Sequence, residues 1–344
     1  MLGPMSELLP LERLVAYMRA ELPGIEEPLQ STKTSSGQSN PTFILETSRR
    51  KIVLRRKPPG ELLKSAHAIE REFRVMDALA SDFPVPRMIH LCEDPEVLGA
   101  PFYLMSYVDG RIFDDPALPG LDPTDRGAIY DAMNAGLAKL HSIDIERVGL
   151  ADYGRPGNYF ERQVSRWTRQ YRASETEKIP EIDRLITWLE REMPTDDGSV
   201  ALVHGDWRID NLVFDPSDAK LVAALDWELS TLGHPLADLG AQIMQWAMPT
   251  GPVGRGLAGL DRDALGIPSD QAYIELYAER AGLPEPPDMT FPVAFSFFRM
   301  AAILQGVKRR ALDGNASNPE SALKLGAYIP LFAQKAWEWI NAGS

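Results

Sequence analysis

Cysteine is nearly absent: the 344-residue chain holds one, Cys92. A single thiol excludes an internal disulfide and any zinc site built on cysteines. It ends the apolar run Met88-Ile89-His90-Leu91-Cys92, where a small buried hydrophobe is expected. Histidine is scarce at five, and no HExxH pair occurs. Long apolar runs are missing too. The longest uncharged stretch, Leu239 to Gly254, has 16 residues, is broken by Gln, Pro and Gly, and is too short to span a bilayer. No basic region followed by an apolar run opens the sequence, so no signal peptide is expected, and the expected compartment is a reducing cytoplasm. Positive charge is in deficit: 36 Lys plus Arg against 49 Asp plus Glu give a net charge of −13. That argues against nucleic acid or an anionic membrane as a bulk electrostatic partner. It is compatible with a local basic pocket for one phosphorylated ligand.

What is present is ordinary for a soluble globular protein: 44% apolar and 25% charged residues. The length suits about two domains. Leu8, Leu11, Val15, Met18 and Leu22 predict an amphipathic first helix. After the polar run Ser31 to Asn40, the segments Thr42 to Thr47 and Ile52 to Arg56 predict a hairpin across Ser48-Arg49-Arg50-Lys51. Ile69, Phe73, Met76 and Leu79 predict a helix from about Leu62 to Ala80, and two further strands are expected at Arg87 to Cys92 and Pro101 to Tyr107. Beyond Asp109-Gly110 the pattern becomes helical, interrupted by a short β island with strands at Ala201 to His204, Leu212 to Phe214 and Leu221 to Leu225. Strands first and helices later predict an α+β chain. Its small antiparallel-sheet N-lobe would cover 1–108 and its large, mostly helical C-lobe 109–344.

The chemistry-bearing residues gather in the island. His204-Gly205-Asp206 follows an apolar strand, Asn211 comes five positions after Asp206, and Asp226 ends a later strand. Strand ends hold such side chains in place. Phosphoryl transfer needs this set: one carboxylate to orient the attacking hydroxyl and accept its proton, and an amide oxygen with a second carboxylate to hold Mg²⁺ on nucleotide phosphates. A rival arrangement, a metal hydrolase on His204, Asp206, His234 and Asp238, leaves Asn211 unexplained.

The chain resembles the aminoglycoside phosphotransferase and choline kinase superfamily, which has the bilobal protein-kinase-like fold. The closer resemblance is to the kinase domain fused to some acyl-CoA dehydrogenases. It is carried by Val53-Leu54-Arg55-Arg56-Lys57-Pro58-Pro59-Gly60, by His204 to Asn211, by Leu225 to Gly233 and by Pro235-Leu236-Ala237-Asp238. The resemblance implies ATP and Mg²⁺ as cofactors, Asp206 as the catalytic base, and Asn211 and Asp226 as metal ligands, with His204 and Asp238 bracing the catalytic loop. It implies nucleotide contacts from Ser36, Gly37, Ser39 and Asn40 before the first strand, and from the lobe connector Met105, Ser106, Tyr107 and Val108. The lysine that kinases carry on the third strand is replaced by Arg55, with Lys57 as the alternative. Its helix partner is Glu72, with Glu70 as the alternative. Arginine binds phosphate bidentately and is permanently charged, so the replacement is chemically workable.

The expected partner is a small molecule with a hydroxyl group. A hydroxyacyl-CoA suits the closer resemblance, and an aminoglycoside suits the superfamily name. A non-catalytic nucleotide-binding module is disfavoured because base and metal ligands are all present. Two patches of opposite sign bear on the acceptor. Asp261 to Asp288 holds seven acids and two bases, and Arg299 to Lys324 five bases and two acids. Arg49-Arg50-Lys51 is a further basic candidate. Asn158, Tyr159, Arg162, Gln163, Arg166, Trp167 and Gln170 lie on a helical segment that varies between kinase families.

Overall fold

Five short segments pair into one antiparallel sheet, and all but the first carry apolar residues suited to a pleated, half-buried surface. The computed structural model describes residues 9–34, 40–58, 68–251, 254–315 and 318–343. Two compact units divide the chain: the first runs to Arg111 and includes Val148–Leu150 and Val213–Leu229, and the second holds Ile112–Arg147, Ala151–Leu212 and the remainder from Ser230. The sequence places all of 109–344 in the second lobe; the short segments 148–150 and 213–229 pack instead with the first unit.

In the first unit the elements are α1 (Leu11–Glu21), β1 (Gln30–Lys33), β2 (Thr42–Glu46), β3 (Lys51–Arg56), α2 (Ile69–Leu79), β4 (Met88–Cys92), α3 (Pro95–Leu98) and β5 (Phe102–Ser106). The strand order is β1-β2-β3-β5-β4. Strand β1 was not expected; its sequence, Gln-Ser-Thr-Lys, is polar on both faces and forms the exposed edge. Alternation along β3 sends Ile52 and Leu54 to one face, where they join Leu14, Met18, Phe43 and Cys92 in a core cluster. Val53 and Arg55 take the other face, that of α2. Register sets Arg55 opposite Thr42 on one side and Tyr103 on the other. Cys92 is buried, as expected.

The second unit begins with α4 (Pro123–His141), α5 (Tyr159–Ser174) and α6 (Pro180–Arg191). Asp122 starts α4: its carboxylate accepts the Asp125 N–H at 2.9 Å, and Pro123 sits at the first helical position. The short strands β6 (Ala201–Val203), β7 (Leu212–Phe214), β8 (Leu221–Ala224) and β9 (Thr231–Gly233) follow. β6 pairs antiparallel with β9; β7 and β8 pair with each other and, from Val213 on, belong to the first unit. Then come α7 (Leu236–Trp246), α8 (Arg262–Leu265), α9 (Asp270–Arg280), α10 (Thr290–Leu312), α11 (Pro319–Gly326) and α12 (Ile329–Ala342). Helix α10 is apolar around most of its circumference and packs against α5, α6, α7, α11 and α12. Its 23 residues are long and apolar enough to cross a bilayer by length and composition, and 67% of its most apolar window is buried within the chain.

Candidate active site

Strand β6 is three buried apolar residues, and the chain turns sharply as it ends. Gly205 makes that turn at φ +83°, a left-handed conformation that glycine adopts without a Cβ penalty. Asp238, in the first turn of α7, fixes it: its Oδ2 accepts the His204 N–H at 2.7 Å and its Oδ1 the Gly205 N–H at 2.8 Å. His141 Nε2 lies 3.2 Å from the same Oδ2, and Tyr277 Oη 2.7 Å from His141 Nδ1. Burial works against the Asp238 charge, but the His141 contact and the backbone N–H donors outweigh it and hold this carboxyl below its usual range. His204 is fully buried, and its Nδ1 accepts the Asp206 N–H at 3.3 Å. Both residues therefore shape the loop, as the resemblance implies.

Asp206 leaves the turn with its carboxylate partly exposed. Asn211 Nδ2 donates to the Asp206 carbonyl and to its Oδ2, each at 2.9 Å. The Asn211 donors are thus committed, and Oδ1 is the atom left to meet a cation. Arg208, which the sequence reading passed over, forms an ion pair with Asp206 Oδ1 through Nε at 3.1 Å and reaches Asp210 Oδ2 at 3.3 Å. Arg299 of α10 donates to the Gly205 carbonyl at 3.1 Å. Arg208 lies within the motif's sequence window; Arg299, 94 positions away, reads in sequence only as one member of a basic stretch.

The first unit holds a second charged group. Arg55 is buried among three carboxylates: Glu72 at 3.2 Å, Asp226 at 2.8 Å and Glu228 at 3.6 Å. Burial opposes the guanidinium charge, yet its neighbours Tyr103, Glu72 and Asp226 raise its proton affinity above the ordinary arginine value. One cation shared by three anions leaves a surplus of negative charge. Glu72 is the most enclosed of the three, and burial, helped by Asp226 and Glu228, pushes its carboxyl up to about 7 against the pull of Arg55. Asn40 Nδ2 and the Tyr103 hydroxyl donate to Glu72 at 2.8 and 3.1 Å. Asp226 itself has φ +64°, a conformation costly for most side chains and tolerated better by Asp and Asn. Such backbone persists where surrounding contacts over-determine it.

The two basic candidates at the end of the third strand each have their own partner on α2: Arg55 pairs with Glu72 and Lys57 with Glu70 at 2.9 Å. Asn40, expected in a phosphate-covering loop, is fully buried with its amide on Glu72. Ser36, Gly37 and Ser39 lie outside the described residues. In the connector, Met105 is buried opposite Val53, the Ser106 hydroxyl accepts the Arg87 N–H at 2.9 Å, Val108 is half-buried, and the exposed Tyr107 ring has Lys51 Nζ 5.3 Å from its centre. The basic stretch 299–324 does not form one patch: Lys308 meets Glu177, Arg309 meets Asp313 and Lys324 meets Glu320. Arg49 likewise meets Glu26. The hydrolase set does not converge. His234 Nε2 faces Asp197 at 3.5 Å, and among the described residues no group of three His, Cys, Asp or Glu side chains could hold a metal ion.

A five-stranded antiparallel sheet carrying a buried Arg–Glu pair, and a helical unit with an Asp–Asn loop, define a kinase-like phosphotransferase. The chain belongs to the phosphotransferase enzyme family (APH), whose profile matches residues 32–281. It is similar to mouse acyl-CoA dehydrogenase family member 10, with 48% identity over 91% of this chain and 29% of that protein. The chain spans less than half the length of such curated relatives. It is also similar to a crystal structure from Ralstonia eutropha JMP134, provisionally described as an aminoglycoside phosphotransferase: 47% identity, TM-score 0.87, covering 97% of this chain and 99% of that one. Spectinomycin phosphotransferase in complex with ADP and spectinomycin shares the fold at 13% identity and a TM-score of 0.64, over 95% of this chain and 98% of that one.

Proposed function

We propose that the chain is an ATP-dependent small-molecule kinase that moves the γ-phosphoryl group of ATP onto an alcohol hydroxyl, with a hydroxyacyl-CoA as acceptor. One observation carries the reading: the Asp206 carboxylate stands partly exposed at a strand end, fixed by Asn211 on one oxygen and Arg208 on the other. In that setting Asp206 orients the acceptor hydroxyl and takes its proton as the oxygen bonds to phosphorus, while the bond to the bridging oxygen breaks and the diphosphate leaves. Mg²⁺, when bound, neutralises the charge on the phosphate oxygens. Asn211 and Asp226 suit it: the first keeps an uncommitted amide oxygen, and the second belongs to a group with three carboxylates to one guanidinium. Arg55 supplies the fixed positive charge for phosphate oxygens.

The acyl-CoA acceptor is supported by likeness to acyl-CoA dehydrogenase family proteins, and the nucleotide by the ADP complex of the spectinomycin enzyme. The Ralstonia relative favours a second reading, an aminoglycoside acceptor. ATP consumption across 4-hydroxyacyl-CoAs, free hydroxy acids, choline, homoserine and aminoglycosides separates the two. The first reading expects turnover on the CoA esters. Turnover on aminoglycosides near 10⁴ M⁻¹s⁻¹ or above, by the ~10⁴–10⁸ M⁻¹s⁻¹ range usual for enzymes, with none on the esters, overturns it.

A further inference from the structure

Several arginines of the second unit are neutralised by carboxylates, among them Arg172 by Asp183, Arg255 by Asp210, Arg262 by Asp270 and Arg280 by Asp131. Where α5 packs on α10, three arginines without such a partner gather, two of them around one indole. Among the described residues, Arg162, Arg166 and Arg299 form no ion pair with any carboxylate. Arg162 donates only to the backbone carbonyls of Arg155 and Pro156. Arg166 and Arg299 share one indole, their guanidiniums 5.4 and 5.9 Å from the centre of the Trp167 ring. Trp167 is itself steadied by its Nε1 bond to Gln163 at 3.1 Å. Burial and the nearby Arg155 hold Arg162 below the usual arginine range against the pull of Tyr159, Asp196 and Glu161.

A chain with 13 surplus negative charges had ample means to neutralise this cluster. Its position is also specific, since Arg299 bonds the carbonyl of Gly205, the residue before Asp206. Arg299 thereby ties the cluster to the loop that bears the proposed base. Guanidinium forks held on an aromatic face suit the oxygens of phosphate or carboxylate. They repel a polycation.

We propose that Arg166 and Arg299, supported by Arg162, bind an anionic group of the phosphate acceptor, phosphate or carboxylate. The proposal rests on the kinase reading above and adds the residues that select the acceptor. A neutral acceptor with the same hydroxyl lacks this hold and is used poorly.

The test compares three acceptors bearing one 4-hydroxyacyl group: the CoA ester, the free acid and the phosphate-free pantetheine ester. Wild type should use the pantetheine ester with a KM about tenfold or more above that of the better anionic acceptor, the scale of a charge-assisted hydrogen bond. Arg166→Gln, on exposed helix surface, should raise KM for that anionic acceptor severalfold and move the pantetheine KM by less than twofold; Arg299→Gln, which also removes the bond to the Gly205 carbonyl, should raise KM for the anionic acceptor at least as much. Arg166→Lys should recover part of the loss. Which anionic acceptor is better identifies the group bound. A pantetheine ester used as well as either anion, or equal losses on all three acceptors, overturns the proposal. If none is phosphorylated, the acceptor assignment falls, and the clamp is still decided by calorimetric titration of free CoA and of the free hydroxy acid into protein saturated with Mg²⁺ and AMP-PNP. Weaker binding by Arg166→Gln sustains the clamp, and binding equal to wild type, or none by wild type, removes it.

Discussion

Asp238 Oδ1 accepts the backbone N–H of Gly205 at 2.8 Å across 33 positions of sequence, and its other oxygen takes the His204 N–H. One carboxylate on a helix thus satisfies two consecutive buried donors of the turn that presents Asp206.

Asp238→Ala leaves both donors without an acceptor in a site that is 1% exposed. Each lost partner costs about 1–3 kcal/mol, so the variant should lose roughly 3 kcal/mol of stability. Urea titration followed by far-ultraviolet circular dichroism checks this. A midpoint equal to wild type would show that the loop holds its shape without the brace.

Asp206→Asn keeps the size and the Asn211 contact and removes the proton acceptor. Turnover should fall about 10²–10⁴-fold, with nucleotide affinity changed by less than about twofold. Parallel single-turnover kinetics and nucleotide calorimetry measure both. Wild-type-like turnover refutes the base assignment.

At Asp226 the cleaner substitution is Asn rather than Ala, because Asn tolerates the φ of +64° found there. Asp226→Asn should lower affinity for the Mg²⁺-nucleotide about tenfold, the scale of one charged ligand, and leave affinity for the metal-free nucleotide no weaker. Equal affinity for the Mg²⁺ form places the cation elsewhere.

Glu72 sets a stability limb with an unusual sign. Its folded-state pKa of about 7 lies above the ordinary 4.5, so the folded chain binds this proton more tightly than the unfolded one. Its contribution is fully present below the ordinary value and is lost as pH rises through 7. Wild type should become less stable between pH 5 and 8, and Glu72→Gln should flatten that slope. Asp238, held below its ordinary value, acts oppositely and loses its contribution only as pH falls into the acid range. Denaturation midpoints across pH 3 to 9 separate the two limbs; an unchanged slope in Glu72→Gln refutes the first.

Local pattern carried the sequence reading where a strand runs directly into function. His204-Gly205-Asp206 and Asn211 lie within eight residues, and β6 leads into them as expected. The parts that stayed illegible depend on distant partners. Asp226 meets Arg55 across 171 positions, and Glu228 joins them only through the turn that follows β8. Asn40 reads as a loop ligand because a polar run surrounds it, yet its amide serves Glu72, 32 positions on. Strand β1 has no apolar alternation because it is an exposed edge whose pairing with β2 comes from the backbone. Arg299 looked like one member of a basic stretch until helical packing separated it from Lys308 and Arg309, which found carboxylates of their own.

The segment 213–229 is joined to the first unit by contact while being enclosed by the second in sequence. It carries Asp226 and Glu228, two of the three anions around Arg55. The first unit therefore has no single cut that frees it. A fragment ending at residue 111 would keep the sheet, but its guanidinium would retain only Glu72 of its three carboxylates. Grafting, swapping or expressing this unit alone means carrying a piece of chain encoded a hundred residues downstream.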